Sequence, residues 1–332
     1  MRILVTGASR GAGRSMAEEL AARGHEVRAL VRRPDDITRL STQWSDQERL
    51  TPVLGDVTER ASLDAAMDGC EALIHAAAAV GEEDGDRALF HRVNVEGTGN
   101  VWRAAGRARV RSAVMISSVA IYGRPNVPEV SEDAPRAKLE VAYEQTKAAA
   151  ENVALELGRL FNIRTAVLRP SVIYGPYDEQ FVPRLVRSLR SHSFIYVGDP
   201  DRPINLCAVE HLTWCAFAAL QTPAAAGEAF NVVDGVLPSW RQTVELICHE
   251  AGFKVPTRVV DPQTALRLGT AVDKVRKLGL PLPLPAVTRF TARVAGTSCV
   301  YRIDKARRIL GYRPVHTFME RGPALVRAYL SA

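Results

Sequence analysis

The chain has 332 residues, 47% of them hydrophobic and 24% charged, and a formal net charge of +6. Such a chain buries a large core, which excludes a disordered protein; its length suits one large α/β unit or two smaller ones. Lysines and arginines form no block interleaved with aromatics, which argues against nucleic acid as a partner, and no apolar run reaches the roughly 18 residues that span a bilayer. Cys70, Cys207, Cys215, Cys248 and Cys299 are widely spaced, with no Cys-x-x-Cys pair. They read as reduced core residues of a cytoplasmic protein and not as disulfide or metal ligands. The apolar run begins at Arg2, leaving no stretch that reads as a signal peptide.

Arg2 to Thr6 is an apolar run of strand length, Gly7-Ala8-Ser9-Arg10-Gly11-Ala12-Gly13 a glycine-rich turn, and Arg14 to Arg23 a helix. A turn of this kind brings backbone N–H groups and the positive end of a helix dipole toward a pyrophosphate, with no side chains in the way. Its spacing is TGxxxGxG. His25 to Val31 is a second strand closed by Arg32-Arg33-Pro34. Where such a strand ends, a carboxylate pairs the 2′-hydroxyl of NAD, whereas an arginine accommodates the 2′-phosphate of NADP. Arginine stands here, so the expected cofactor is NADP(H) in preference to NAD(H).

Leu50 to Gly55 is a third strand leading into Asp56-Val57, Ala61 to Met67 a helix, and Ala72 to Ala78 a fourth strand. The small side chains of Ala76, Ala77 and Ala78 allow a flat ligand to approach the backbone; His75 reads as a core histidine. Asp86 to Arg107 is one helix, Val110 to Ser118 a fifth strand, Lys138 to Leu160 a helix, and Ile163 to Leu168 a sixth strand closed by Arg169-Pro170. Alternating strands and helices predict βαβ crossovers, a doubly wound parallel sheet of the Rossmann kind, and a ligand at its carboxyl edge. Beyond residue 175 the rhythm loosens. Helices are expected at 181–190, 209–220, 240–251, 264–277 and 319–330, and short strands at 194–197 and 229–233. The organisation read from this is a dinucleotide-binding unit, 1–175, and a smaller mixed substrate-binding part, 176–332, some of whose elements return to the sheet.

Tyr143 and Lys147 stand four apart on an expected helix, hence on one face and within reach of each other. A phenol with a pKa near 10 is a poor base, and a neighbouring ammonium favours the phenolate; lowering it by roughly three units takes about 4 kcal/mol. Ser117-Ser118 closes the fifth strand, where a hydroxyl can hydrogen-bond a substrate oxygen.

With these stretches in hand, the sequence resembles the extended, epimerase-like branch of the short-chain dehydrogenase/reductase superfamily. The matching stretches are Thr6–Gly13, Gly55-Asp56-Val57, Ile74-His75-Ala76-Ala77, Val93–Thr98, Ser117–Gly123, Tyr143–Lys147, Leu168–Pro176 and Asp304–Pro314. The resemblance implies Ser118, Tyr143 and Lys147 as catalytic residues. It implies a cofactor held by Gly7, Ser9, Arg10, Gly11, Ala12, Gly13, Arg32, Asp56, Val57, Ala76, Ala77, Ala78, Asn94, Lys147, Pro170, Ser171 and Val172. Substrate contacts are expected at Val80, Ser118, Tyr143, Tyr174 and Phe181. One departure stands out: Arg10 occupies the position of the branch's usual middle glycine, which makes it a second candidate, with Arg32, for the 2′-phosphate, and Arg33 a third.

Dehydratases of the branch carry an acidic pair just after the serine or threonine; here Val119-Ala120 follows. Sugar-nucleotide epimerases often have Asn after the Arg-Pro; here Ser171 follows. The run Arg169–Arg190 and Tyr196-Val197-Gly198-Asp199 resemble instead the 3β-hydroxysteroid dehydrogenase-like reductases, implying interconversion of a secondary alcohol and a ketone on an apolar, ring-bearing substrate. Alternatives are a sugar-nucleotide epimerase with tightly held NAD, and a non-catalytic cofactor sensor. Between Thr264 and Arg293 the bases Arg267, Lys274, Arg276, Lys277, Arg289 and Arg293 alternate with apolar residues, a pattern suited either to an anionic membrane surface or to a helix that closes the substrate pocket. The resemblance further implies a homodimer through the 86–107 and 141–160 helices.

Overall fold

In the computed structural model, which describes residues 1–44, 48–80, 86–123, 125, 127–277, 292, 295–296 and 299–331, a seven-stranded parallel sheet organises the chain. At 273, 274, 276 and 277 the backbone alone is described. The elements that build the sheet side are β1 (Arg2–Thr6), α1 (Gly11–Ala22), β2 (Glu26–Val31), α2 (Pro34–Gln43), β3 (Leu50–Leu54), α3 (Arg60–Met67), β4 (Ala72–His75), α4 (Arg87–Phe90), α5 (Gly97–Arg107), β5 (Ser112–Ile116), β6 (Glu129–Val130), α6 (Ala142–Leu160) and β7 (Arg164–Pro170). They are followed by β8 (Val172–Tyr174), α7 (Val182–Arg190), β9 (Tyr196–Val197), β10 (Leu206–Ala208), α8 (Val209–Gln221), β11 (Ala229–Val232), α9 (Trp240–Ala251), β12 (Val259–Val260), α10 (Pro262–Lys277), β13 (Val300–Tyr301) and the helices Asp304–Leu310 and Phe318–Ser331.

The strand order is β11-β7-β5-β4-β1-β2-β3. β1 pairs β2 on one side and β4 on the other, so the winding reverses there and a crevice opens beyond the carboxyl ends of β1 and β4. β11 comes from beyond residue 175 and pairs β7.

Both sheet faces are covered, as the continuous apolar strands require. Alternation along β1 sends Ile3 and Val5 to one face, with Met16, Leu20, Leu212 and Ala216 of α1 and α8. Leu4 goes to the other face, with Leu63, Met67, Trp102, Ala150 and Ala154 of α3, α5 and α6. A separate core of Tyr174, Phe181, Val186, Tyr196, Leu206, Ile247 and Phe318 holds the C-terminal part together.

Several expected boundaries move for identifiable reasons. α1 begins at Gly11, three residues early, because Gly13 packs against the Gly7 carbonyl inside the helix. β4 stops at His75, since the Ala77 amide donates to Thr6 Oγ1 (3.1 Å) and leaves the ladder. The single helix expected over 86–107 is interrupted by a π-helical segment, His91–Glu96, which contains Asn94. α6 begins at Ala142, four residues late. α2 was not anticipated, although Pro34 at its start and Asp35 and Asp36 in its first turn are an N-terminal signature.

Among the described residues, no helix is long and apolar enough to cross a membrane, and the five cysteines are buried and free. Of the basic stretch, the helix to Lys277 is seen. The side chains of Lys274, Arg276 and Lys277, and all of Leu278, Leu280, Leu282, Leu284, Val287, Arg289, Phe290 and Arg293, lie outside the described residues.

Candidate active site

The turn from β1 into α1 has the geometry of an anion cradle. Gly7 (φ +72°) lies against the Ala76–Ala77 backbone, where an added Cβ would sit 2.8 Å from Ala77, and a Cβ on Gly13 would sit 2.3 Å from the Gly7 carbonyl oxygen. Gly11 (φ +55°) has open space on its Cβ side. No side chain caps the N-terminus of α1, where Arg10 is the N-cap and Ala12 lies in the first turn. Its first amides therefore point outward with their partial positive charge.

Beside this turn lies a cleft of about 370 Å³ lined by Ser9, Arg10, Arg14, Arg32, Arg33, Asp36, Arg39, Tyr177, Asp178 and Glu179. Arg10 and Glu179 face each other at 3.6 Å, with side chains 72% and 54% exposed. Arg39 donates to the Ser9 carbonyl (3.0 Å) and to Asp36 (2.6 Å). Arg14 stacks on Tyr177, 3.8 Å from the ring centre, and pairs Glu18. Sequence reasoning had reached Arg10, Arg32 and Arg33 but missed Arg39, because it had missed α2.

On the other side of the crevice, Asp56 accepts from the amide and hydroxyl of Thr58, both at 2.8 Å. The Val57 carbonyl accepts from Asn100 (3.0 Å). Asn94 clamps Ala79 through both backbone groups (2.7 and 3.2 Å) and donates to Thr146 (3.1 Å). Ala76, Ala77 and Ala78 follow β4 between these two anchors, and Val80 beyond them is exposed. His75 is a core residue, bonded to Thr6 (2.8 Å) and Thr98 (3.0 Å); burial, then the Lys147 charge, push its pKa down to about 3.

Ser118, Tyr143 and Lys147 meet at the carboxyl ends of the central strands. Ser118 begins a 3₁₀ turn, Val119–Tyr122, and its Oγ accepts from the Ala120 amide (3.1 Å). Tyr143 and Lys147 lie on the first turns of α6, and Lys147 Nζ donates to the Ile116 carbonyl at the end of β5 (2.6 Å). Burial lowers the Lys147 pKa to about 8, with Glu151 opposing. Burial raises the Tyr143 phenol above its ordinary value, and the opposing influence is a hydrogen bond with Ser118. The Ile116 carbonyl takes one of the three donors of the Lys147 ammonium.

Pro170 ends β7, and Ser171 and Val172 lead into β8. Ser171 Oγ and Ser117 Oγ are buried polar atoms with no hydrogen-bond partner in the protein. Buried hydroxyls are ordinarily satisfied, so these two, with the uncapped helix start and the open side of Gly11, fit a bound nicotinamide dinucleotide. Tyr174 and Phe181, expected as substrate contacts, are instead core residues. Tyr174 is 1% exposed and donates to Asp234 (2.7 Å), and both rings pack on Phe318. Two further residues escaped notice: Glu151, one turn beyond Lys147, and Arg169, which grips it.

Residues 3–233 match the NAD dependent epimerase/dehydratase family. The chain is 32% identical over 316 residues to a 4-hydroxy-2-methyl-3-oxo-4-farnesyl-3,4-dihydroquinoline-1-oxide ketoreductase of Stigmatella aurantiaca, covering 94% of this chain and 92% of that protein. It is 27% identical to a 3 beta-hydroxysteroid dehydrogenase/Delta 5-->4-isomerase of Mycobacterium tuberculosis, covering 95% and 87%. A dTDP-glucose 4,6-dehydratase of Streptomyces venezuelae, solved with NAD bound, has the same fold: TM-score 0.78 at 22% identity, over 99% of this chain and 97% of that one. The protein is an enzyme of the NAD dependent epimerase/dehydratase family, the extended short-chain dehydrogenase/reductases. Within that family its relatives include ketoreductases and steroid dehydrogenases, oxidoreductases that act on small molecules.

Proposed function

We propose that the protein is an NADP(H)-dependent oxidoreductase that interconverts a secondary alcohol and a ketone on an apolar, ring-bearing substrate. The observation that carries this is the convergence of Ser118, Tyr143 and Lys147 at the carboxyl edge of the sheet, beside an uncapped helix start and an arginine-lined cleft. The names of the ketoreductase and steroid dehydrogenase relatives support the substrate class. In this reading residues 1–175 hold the cofactor, residues 176–332 shape the substrate site, and the protein works in the cytoplasm as a homodimer through α5 and α6.

The cofactor, when bound, supplies or accepts the hydride at its nicotinamide ring. Tyr143 exchanges the proton with the substrate oxygen. Ser118 hydrogen-bonds that oxygen and favours the phenolate. Lys147 fixes the cofactor ribose and contributes positive charge at the sheet edge. Arg10, Arg32 and Arg39 receive the 2′-phosphate, for which several guanidiniums offer forked donors. Gly7, Gly11, Ala12 and Gly13 receive the pyrophosphate.

Ring ketones, hydroxysteroids and nucleotide sugars are screened by absorbance of the reduced cofactor, with NADPH and NADH in parallel. Turnover of an apolar ketone with NADPH bound more tightly than NADH is expected. Tightly held, non-exchanging NAD with conversion of a nucleotide sugar would overturn this reading in favour of an epimerase.

A further inference from the structure

One guanidinium ties together the pieces of the site. Arg169 immediately precedes Pro170 at the end of β7, and its Nε and Nη2 donate to the two carboxylate oxygens of Glu151 at 3.0 and 2.9 Å. Its Nη1 donates to the Tyr122 hydroxyl (2.8 Å) and the Glu132 carbonyl (3.1 Å). Tyr122 closes the turn that Ser118 opens, and its own hydroxyl donates to Asn231 on β11 (2.7 Å). Glu151 sits on α6 four residues beyond Lys147 and eight beyond Tyr143, so the three side chains share one face of the helix. The side chains of Glu151 and Arg169 are 1% and 8% exposed.

We propose that Glu151, gripped by Arg169, is a positioning residue of this active site: it supplies the counter-charge to Lys147 and locks α6, the strand end at Pro170 and the Ser118 turn into one register. The inference rests on the Ser118–Tyr143–Lys147 reading and deepens it. An ion pair of this kind is a poor way to gain stability, since apolar residues of equal volume hold a core at least as well. Its use lies in direction, because the fork–fork geometry fixes two elements at once. The carboxylate is shared: Arg136, 35% exposed, also donates to Glu151 (3.0 Å). The charged and titratable groups around Lys147 and Glu151 are then Arg136 ahead of α6, Tyr143 on α6, Arg169 on β7, Tyr122 and Glu132 before α6, His75 on β4, and Lys305, whose charge acts on Glu132. Burial alone would drive Arg169 toward its neutral form, yet the Glu151 hydrogen bonds and charge raise its pKa above the ordinary value. For Lys147 the same carboxylate opposes the effect of burial.

The test titrates Lys147 directly by NMR of ¹³C-labelled lysine in the cofactor-free protein, with circular dichroism to confirm folding. The wild-type midpoint is expected at about pH 8. Glu151→Gln is expected to move it down by about one unit or more, since an opposite charge has been removed. Arg136→Ala, a milder change at a half-exposed side chain, is expected to move it up by a few tenths, since the carboxylate is then less neutralised. Arg169→Lys keeps the charge but loses the fork; it should leave the midpoint nearly in place and weaken NADPH binding, measured by fluorescence titration, severalfold. If Glu151→Gln does not fold, the other two variants decide. Midpoints unchanged in every folded variant except Arg169→Lys, or NADPH binding unchanged in Arg169→Lys, would overturn the inference. Because the NMR titration needs no substrate, its failure is distinct from failure of the catalytic reading, which is decided by turnover of Tyr143→Phe.

Discussion

The two halves of the crevice solve different problems. At one end Lys147, Glu151 and Arg169 are buried, and each polar group has an assigned partner within 3.0 Å. At the other end the arginine-lined cleft is open to water, and its Arg10–Glu179 pair is loose and exposed. Buried charge is all-or-none, because an unpaired partner costs several kcal/mol; exposed charge is graded and screened by salt. Reaction geometry is therefore built at the first end and cofactor preference at the second.

Lys147→Met removes both the charge beside the proton-exchanging Tyr143 and the anchor of the cofactor ribose, and should reduce kcat by roughly 10² or more; steady-state kinetics giving a loss under tenfold would mean that this buried lysine is structural only. Gly13→Val drives a side chain into the Gly7 carbonyl. Overpacking of this kind costs about 1–3 kcal/mol, so a lowered Tm together with lost NADPH binding is expected, and retention of both would contradict the tight turn.

The buried side also titrates. His75 has a folded-state pKa of about 3 against 6.5 for the free side chain. On acidification the unfolded chain takes up the proton first. The stability from keeping His75 neutral is complete above pH 6.5 and is lost as pH falls toward 3, at about 1.4 kcal/mol per pH unit. His75→Asn should flatten the acid limb of a urea-denaturation series, and an unchanged slope would show that His75 does not drive it. The smallest effects belong to the exposed end. Arg32→Ala and Arg39→Ala should each weaken NADPH by about tenfold, the loss of one charge-assisted contact, and leave NADH nearly unaffected. Raising salt should erode the NADPH preference while leaving the Lys147 midpoint almost still.

Much of this was legible in the chain because periodicity and glycine spacing report on backbone geometry. The Gly7–Gly13 turn, the order of strands and helices, and the Tyr143-x-x-x-Lys147 spacing all came from local pattern. What did not come through depended on contacts distant in sequence. Arg39 belongs to the cleft only because α2 folds back over Ser9. Glu151 was visible at helical spacing from Lys147, but its partner Arg169 is 18 residues away. Tyr174 and Phe181 pack on the ring of Phe318, more than 130 residues further along the chain. The break of the 86–107 helix at Asn94 has no periodic signature, since a π turn changes one hydrogen-bond register and not the apolar pattern.

The most direct test of the account is Tyr143→Phe, assayed for turnover and for NADPH affinity in the same preparation. Removing only the hydroxyl should abolish ketone reduction while NADPH binding stays within a few-fold of wild type. Retained turnover with any ketone would contradict the assignment of Tyr143 as the proton-exchanging group.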